Sequence, residues 1–155
     1  MALLLAAPAS ARDSLGVYSG WGAYRDPGSD PRCYAIAMAE RTRQPRDFRP
    51  YADFAIWPKR GVRGQVHFRL SRRLAPDAKI VLDLGDQRFE LAGGGNDAWA
   101  QDRRMDAAIV AGMRSAPYMT VNSKSAEGRG FSDSYKLAGA ATAMDAAAIG
   151  CAGIR

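Results

Sequence analysis

Residues 65–70 read QVHFRL, and their alternation decides the fold class. Val66, Phe68 and Leu70 fall on one face of an extended chain, and the polar residues between them fall on the other. A strand with this pattern covers an apolar core with one face and meets solvent with the other. The stretch therefore predicts a half-buried strand in a β-rich domain.

Basic residues flank this strand on both sides. Residues 57–73 contain no acid and six basic side chains, which are Lys59, Arg60, Arg63, Arg69, Arg72 and Arg73. Only Arg69 lies inside the alternating stretch, on the polar face beside His67. One interpretation is a solvated rim that keeps the strand ends in water. The other is a surface for an anionic component of the cell envelope, a membrane surface or an acidic protein.

The rest of the chain predicts an α+β, mainly β domain. Apolar runs or alternation predict one irregular strand over 14–25, strands over 33–38, 51–57, 118–123 and 131–137, and a hairpin over 79–91. Helices are predicted at about 103–115, after Asp102 as the N-cap, and at about 139–151. Loops are predicted over 40–50 and 92–97. This order favours an antiparallel β-sandwich-like fold of about seven strands with two helices, without βαβ alternation.

The N-terminus predicts export. The chain has 155 residues, enough for one domain, and its net charge of +6 favours anionic partners. Residues 1–11, MALLLAAPASA, form an apolar run whose small final residues fit signal-peptidase cleavage, although no basic segment precedes it. We expect 1–11 to be a signal-peptide remnant and 12–155 a single periplasmic or secreted domain. The alternative is an ordinary apolar N-terminus.

Two cysteines complete this prediction. In an exported chain an even number favours a disulfide, here Cys33–Cys151, over two separate buried thiols. Two isolated cysteines and one histidine form no recognisable ligand cluster, so neither a metal nor another cofactor is expected.

No catalytic motif stands out in the sequence. Asp83 and Glu90 could approach each other across the 79–91 hairpin as an acid–base pair, but such carboxylates are usually only surface groups. His67 is expected to be solvated and has no nucleophile paired with it by motif. Residues 93–95, GGG, lack the surroundings of a phosphate-binding loop.

Aromatic residues offer a possible stacking surface. These side chains could pack in the core, or they could stack on a sugar, a peptide or a base. They are Tyr18, Trp21, Tyr24, Trp57 and Trp99. Nucleic acid is not expected as a partner, because RNP-like and helix-turn-helix signatures are missing from the sequence.

Several segments together resemble the invasion-associated locus B (IalB) family. They are WGAY, RCYAIA and WPKRGVRGQVHFRL in the first half, and IVLDLGDQRFEL, NDAWAQDRRMDAAIVAGMRSA, YMTVNSK and YKLAGAATAMDAAAIGCA in the second. The resemblance implies a small secreted or periplasmic β-rich domain of proteobacterial origin. Some members are associated with host-cell invasion, and the family has no established enzymatic activity. The resemblance assigns only structural roles in this sequence, and it assigns them to Cys33, Cys151 and Gly139.

The resulting hypothesis is a non-enzymatic, exported, IalB-like protein that binds a protein or an anionic partner in the envelope, with an invasion-associated role as an extension. One alternative is a hydrolase that acts on an envelope polymer through Asp83, Glu90 or His67. Another is a basic inhibitor or stress protein that blocks an enzyme with Arg60, Arg63 and Arg72.

Overall fold

The computed structural model describes residues 11–154. Apart from Ala11, the predicted signal-peptide remnant lies outside the described residues. Two α-helices are present in the described part, α1 (Arg103–Met113) and α2 (Ala140–Gly150), and a short 3-10 helix covers Pro58–Arg60. The strands of this part are β1 (Asp13–Tyr18), β2 (Trp21–Asp26), β3 (Arg32–Met38), β4 (Tyr51–Trp57), β5 (Val62–Arg69), β6 (Ile80–Leu84), β7 (Gln87–Gly94), β8 (Asp97–Trp99), β9 (Tyr118–Lys124) and β10 (Gly130–Lys136).

All ten strands form one antiparallel sheet in the order β1-β2-β3-β4-β5-β8-β7-β6-β9-β10. The prediction of a mainly β, α+β fold is confirmed. The second half of the sheet folds back over the first: the rings of Phe68 in β5 and Tyr135 in β10 lie 6.1 Å apart. The indole nitrogen of Trp21 donates to the carbonyl of Lys136 at 2.9 Å. The core therefore lies between two halves of one continuous sheet rather than between two separate sheets.

The predicted number of about seven strands is wrong because two tight turns were missed. Ser19 and Gly20 join β1 to β2, and Ser19 adopts a positive φ of 53°, the conformation that two-residue hairpin turns require. Gly95, at φ 64°, and Asn96 make a second such turn between β7 and β8. The expected loop at 92–97 is thus the end of one strand, a turn and the start of another.

The alternating stretch behaves as predicted. Val66, Phe68 and Leu70 are completely buried. The second half contributes Leu82 of β6 and Val121 of β9 to the same cluster of buried residues. Truncating a buried Phe to Ala removes about 3–5 kcal/mol of stability, so this strand matters greatly to the fold.

Both helices pack on the core side of the sheet. In α2 the buried face consists of Met144 and of Ala140, Ala143 and Ala147. The small side chains of the three alanines permit close approach to β1, β2 and β3. Helix α1 begins where predicted, because the side chain of Asp102 accepts a hydrogen bond from the backbone N–H of Met105 at 2.8 Å. In the described part of the chain, no helix is long and apolar enough to cross a membrane.

The predicted disulfide is confirmed. Cys33 in β3 and Cys151 just after α2 are bonded, with Cα atoms 5.9 Å apart. Gly139, which precedes α2, has a φ of 86°, and a Cβ there would lie 2.0 Å from the carbonyl oxygen of Tyr18. A glycine is required at this position because both the conformation and the close contact exclude a side chain.

The predicted loop at 40–50 has no regular structure and is mostly exposed. It is nevertheless attached by hydrogen bonds to β10 and to the segment that follows β5. The N–H of Glu40 donates to the carbonyl of Ser134 at 2.7 Å, and that of Asp47 donates to the carbonyl of Ser71 at 2.9 Å. The guanidinium of Arg46 lies 3.8 Å from the buried carboxylate of Asp133.

Candidate functional site

The candidate site lies on the solvent-facing side of β2, β3, β4, β5 and β8, away from both helices, and we call this surface the outer face. Because side chains alternate along a strand, the neighbours of the buried residues of β4, β5 and β8 must point to this side. At its centre the outer face carries Tyr51, Asp53, His67, Arg69, Asp97 and Trp99.

Two carboxylates hold His67 between them. Its Nδ1 lies 2.8 Å from Oδ2 of Asp53, the residue directly opposite on β4. Its Nε2 lies 2.9 Å from Oδ1 of Asp97 on β8. Since a carboxylate only accepts hydrogen bonds, an imidazolium that donates from both nitrogens satisfies all three groups. We call this arrangement the histidine clamp.

The environment of the clamp favours the charged imidazole. Burial lowers the pKa of His67, but the hydrogen bonds to Asp53 and Asp97 and the charges of these carboxylates raise it by more. The net result is a pKa above the ordinary histidine value. Asp53 is only 7% exposed, so its carboxylate needs this partner.

Aromatic rings border the clamp. The ring of Trp99 lies 5.1 Å from that of His67, and the ring of Tyr51 meets it edge-on at 5.7 Å. Arg69 Nε lies 2.7 Å from Asp97 Oδ1 as an ion pair without hydrogen-bond geometry. The two carboxylates are thus balanced by two cations, and Trp99, which is 37% exposed, offers a ring to solvent beside them.

This geometry limits what His67 can do chemically. Both of its nitrogens are occupied, so it has no free lone pair to accept a proton from a nucleophile. The expectation of a solvated His67 is wrong, because the ring is half-buried between carboxylates. Among residues 11–154, no group of three or more His, Cys, Asp or Glu side chains could hold a metal ion.

Sequence reasoning missed Asp53 and Asp97 as partners of His67. One sign was present: Asp53 is the only charged residue in YADFAIW, an otherwise apolar strand. Asp97 gave no comparable sign, because it lies in the short strand β8, which was interpreted as part of a loop.

The hairpin carboxylates do not form the suspected pair. Asp83 stands opposite Arg88, whose Nε donates to it at 2.8 Å, and Glu90 stands opposite Val81. Glu90 lies 3.7 Å from the ammonium of Lys79. Each carboxylate is therefore paired with a cation at the surface rather than with the other one.

Four of the six predicted basic residues are directed to nearby acceptors. Arg60 pairs with Asp30, Arg69 with Asp97, and Arg72 with Asp47 and Glu127; Lys59 donates to the carbonyl of Ser29 at 2.8 Å. Within residues 11–154, Arg63 and Arg73 have no acidic partner. The six side chains therefore form no continuous positive patch, and exposed pairs of this kind contribute about 0–1 kcal/mol each.

The aromatic candidates occupy two environments. Trp21 is fully buried in the core. At the far end of the outer face, arginines lie over aromatic rings, with the guanidinium of Arg32 4.1 Å from the ring centre of Tyr34. Further cation–π contacts extend this row, which consists of Arg12, Tyr24, Tyr34, Arg32, Trp57 and Arg60.

The fold and site define an antiparallel, mainly β domain with a disulfide between its first half and its last helix, and with an aromatic and charged outer face. No family model, curated protein or solved structure matches the chain. Membership of the IalB family therefore stays a prediction from the sequence segments quoted above.

Proposed function

We propose that this chain is an exported, IalB-like protein of the bacterial envelope that binds a protein or an anionic partner and catalyses no reaction of its own. The observation that carries this proposal is the outer face, which both helices leave uncovered. An association with host-cell invasion is suggested by the family resemblance alone.

The composition of the outer face supports binding. A solvent-facing sheet surface is ordinarily polar. On this one, by contrast, Trp99 is 37% exposed and Met38 is 46% exposed. Trp, Tyr and Arg are the residues that contribute most to binding at protein interfaces. Trp99 packs beside the imidazole of the clamp and Arg69 forms an ion pair with Asp97. Contacts that restrict side chains in the free protein reduce the conformational entropy lost when a partner binds.

The disulfide supports the exported location. Such bonds persist in oxidising compartments and are rare in the bacterial cytoplasm. A test is to express the full chain in a Gram-negative host, fractionate the cells and analyse the protein by mass spectrometry. We expect a periplasmic or secreted product that begins near Arg12 and has no thiol open to alkylation without reductant. A cytoplasmic product with residues 1–11 intact would contradict the location.

Binding through the outer face is tested with matched variants. Envelope extract is cross-linked to the wild type, to Trp99→Ala and to Tyr118→Ala, which removes an aromatic ring that is 55% exposed on β9 instead. If Trp99 is a central contact, its loss should weaken capture of a specific partner at least tenfold, since such contacts contribute about 2 kcal/mol or more. Equal capture by all three proteins would exclude the outer face as the binding surface.

A further inference from the structure

A second surface feature lies at the beginning of β5, next to α1 and away from the histidine clamp. A cavity of about 660 Å³ opens between α1 and the beginning of β5. We call it the cleft. Its apolar lining includes Phe54, Ile56, Val62, Ala107, Val110 and Ala148. The volume lies within the range of small-molecule binding sites, about 300–1,000 Å³.

One wall of the cleft is formed where an aromatic ring packs directly against a glycine. Gly64 adopts a φ of 146°, and a Cβ there would lie 2.8 Å from the ring of Phe54. On the opposite wall, α1 presents the small side chain of Ala107. Ile56, Arg63 and Ala148 also line a second cavity of about 380 Å³ that extends toward the end of α2. The two cavities therefore adjoin and form an elongated apolar trough.

The rim of the cleft is basic. Arg63 lines both cavities, and Arg103 stands at the start of α1. Neither has an acidic partner among residues 11–154. Arg114, the third arginine, donates to Asp145 at 2.7 Å.

One acidic side chain, that of Asp106, is part of the lining among the described residues. It already accepts a hydrogen bond from the backbone N–H of Val66 at 2.8 Å. Burial raises its pKa, although this hydrogen bond opposes the shift. Asp106 therefore anchors α1 to β5, and among residues 11–154 it forms no ion pair with Arg63 or Arg103.

We propose that the cleft binds a single-chain anionic amphiphile. Its acyl chain would cover the apolar trough, and its carboxylate or phosphate head group would pair with Arg63 and Arg103. Guanidinium groups suit both head groups because they present a planar fork of N–H donors. An apolar chain alone would leave the two arginines without a partner, and a polar ligand would leave the trough in contact with water. This inference is independent of partner binding, since a different surface carries it.

The test is calorimetric titration of the disulfide-bonded chain with decanoate and with decyl phosphate, each below its micelle concentration. Decyltrimethylammonium, with the same chain and the opposite charge, is the control. We expect saturable one-to-one binding of an anionic amphiphile, and amide NMR shifts that include Gly64 and Val110. Binding of one anion alone identifies the head group. Equal binding of the cation, no saturable binding of either anion, or shifts confined to other residues would overturn the proposal.

Two arginine variants examine the rim. Arg63→Gln should weaken binding of the anion about tenfold, the effect of one lost charge-assisted hydrogen bond. Arg73→Gln removes the same charge from another exposed position that has no ion pair within residues 11–154, and should change the affinity less than twofold. An equal loss in both variants would show that net charge, rather than the cleft, attracts the anion. If an oligoglutamate peptide displaces decanoate with equal affinity, the amphiphile is the wrong class of ligand.

A third variant fills the trough. Val110→Trp places a large ring over the half-buried wall of α1 and should abolish binding of the anionic amphiphile. Thermal unfolding by circular dichroism verifies that the variant is folded. A folded Val110→Trp protein with unchanged affinity would contradict the proposed location of the acyl chain.

Discussion

The histidine clamp and the cleft both contain basic side chains of β5, but these side chains differ in whether an acidic partner lies beside them. On the outer face, His67 and Arg69 meet Asp97, and His67 also meets Asp53, so charge is balanced within the protein. Six residues away from Arg69, Arg63 faces an apolar trough without an acidic partner among the described residues. A run of basic residues is therefore not one surface. The register of β4 and β5 shifts between Ala55 and Ile56, and this irregularity turns Arg63 to the other side of the strand from His67 and Arg69.

The largest expected effect comes from breaking the clamp at its buried end. Asp53→Ala leaves the half-buried imidazole of His67 with one carboxylate and should lower the free energy of unfolding by about 3–5 kcal/mol. Urea denaturation measures this change. The matched control Asp83→Ala removes a surface carboxylate that pairs with Arg88 and should cost about 1 kcal/mol or less. Equal losses in the two variants would show that the buried carboxylate of the clamp contributes no more to stability than a surface carboxylate does.

A smaller effect is expected from crowding the wall of the cleft at Gly64. Gly64→Ala combines an unfavourable backbone conformation with a contact to Phe54, and should lower the free energy of unfolding by about 2 kcal/mol. It should also weaken decanoate binding. The control Gly94→Ala adds a methyl group where no atom lies within 4 Å. If both variants lose equal stability, the contact with Phe54 is unimportant.

A smaller effect on the free energy of unfolding is expected from pH, and it concerns the clamp, which contains His67, rather than the cleft. Because the folded pKa of His67 is raised, the stabilisation from its charge is fully present below the unfolded value of about 6.5. It is lost as pH rises through the folded pKa. Hence the difference in unfolding free energy between the wild type and His67→Gln should be larger near pH 6 than near pH 9. His67 is the only histidine, so the variant supplies a clean baseline. A difference that grows with pH would refute the assignment of an imidazolium.

The smallest expected effect concerns Arg63 itself. Since it has no acidic partner within residues 11–154, Arg63→Gln should change the free energy of unfolding by less than about 0.5 kcal/mol. Arg69→Gln removes an ion pair with Asp97 and should cost up to about 1 kcal/mol. Chemical denaturation of the two variants makes the comparison, and a larger loss for Arg63→Gln would reveal an interaction that the cleft proposal omits.

Local patterns predicted much of the fold. The period of 65–70 identified the inward residues of β5, and Asp102 identified the start of α1 because N-caps are specified within a few residues. The two-residue turns were harder to detect. Ser19-Gly20 and Gly95-Asn96 read as irregularities within a strand and a loop, since only their strand pairing reveals them as hairpins.

The candidate site was less predictable. His67 was visible, but its meaning depends on Asp53 and Asp97, which are 14 and 30 residues away. The sheet order places β8 beside β5, and this neighbour does not follow from their order in the chain. The cleft likewise depends on the packing of α1 against β5, which brings Arg103 and Arg63 to one rim.

The sequence alone determined the class of secondary structure, the strand that carries the core and the pairing of its only two cysteines, because these follow from local periodicity and from counting. The tertiary structure alone decided which basic residues are neutralised and which remain available to a ligand. The physical reason is that Coulomb interactions and desolvation depend on distances of a few ångströms between residues that are remote in the chain.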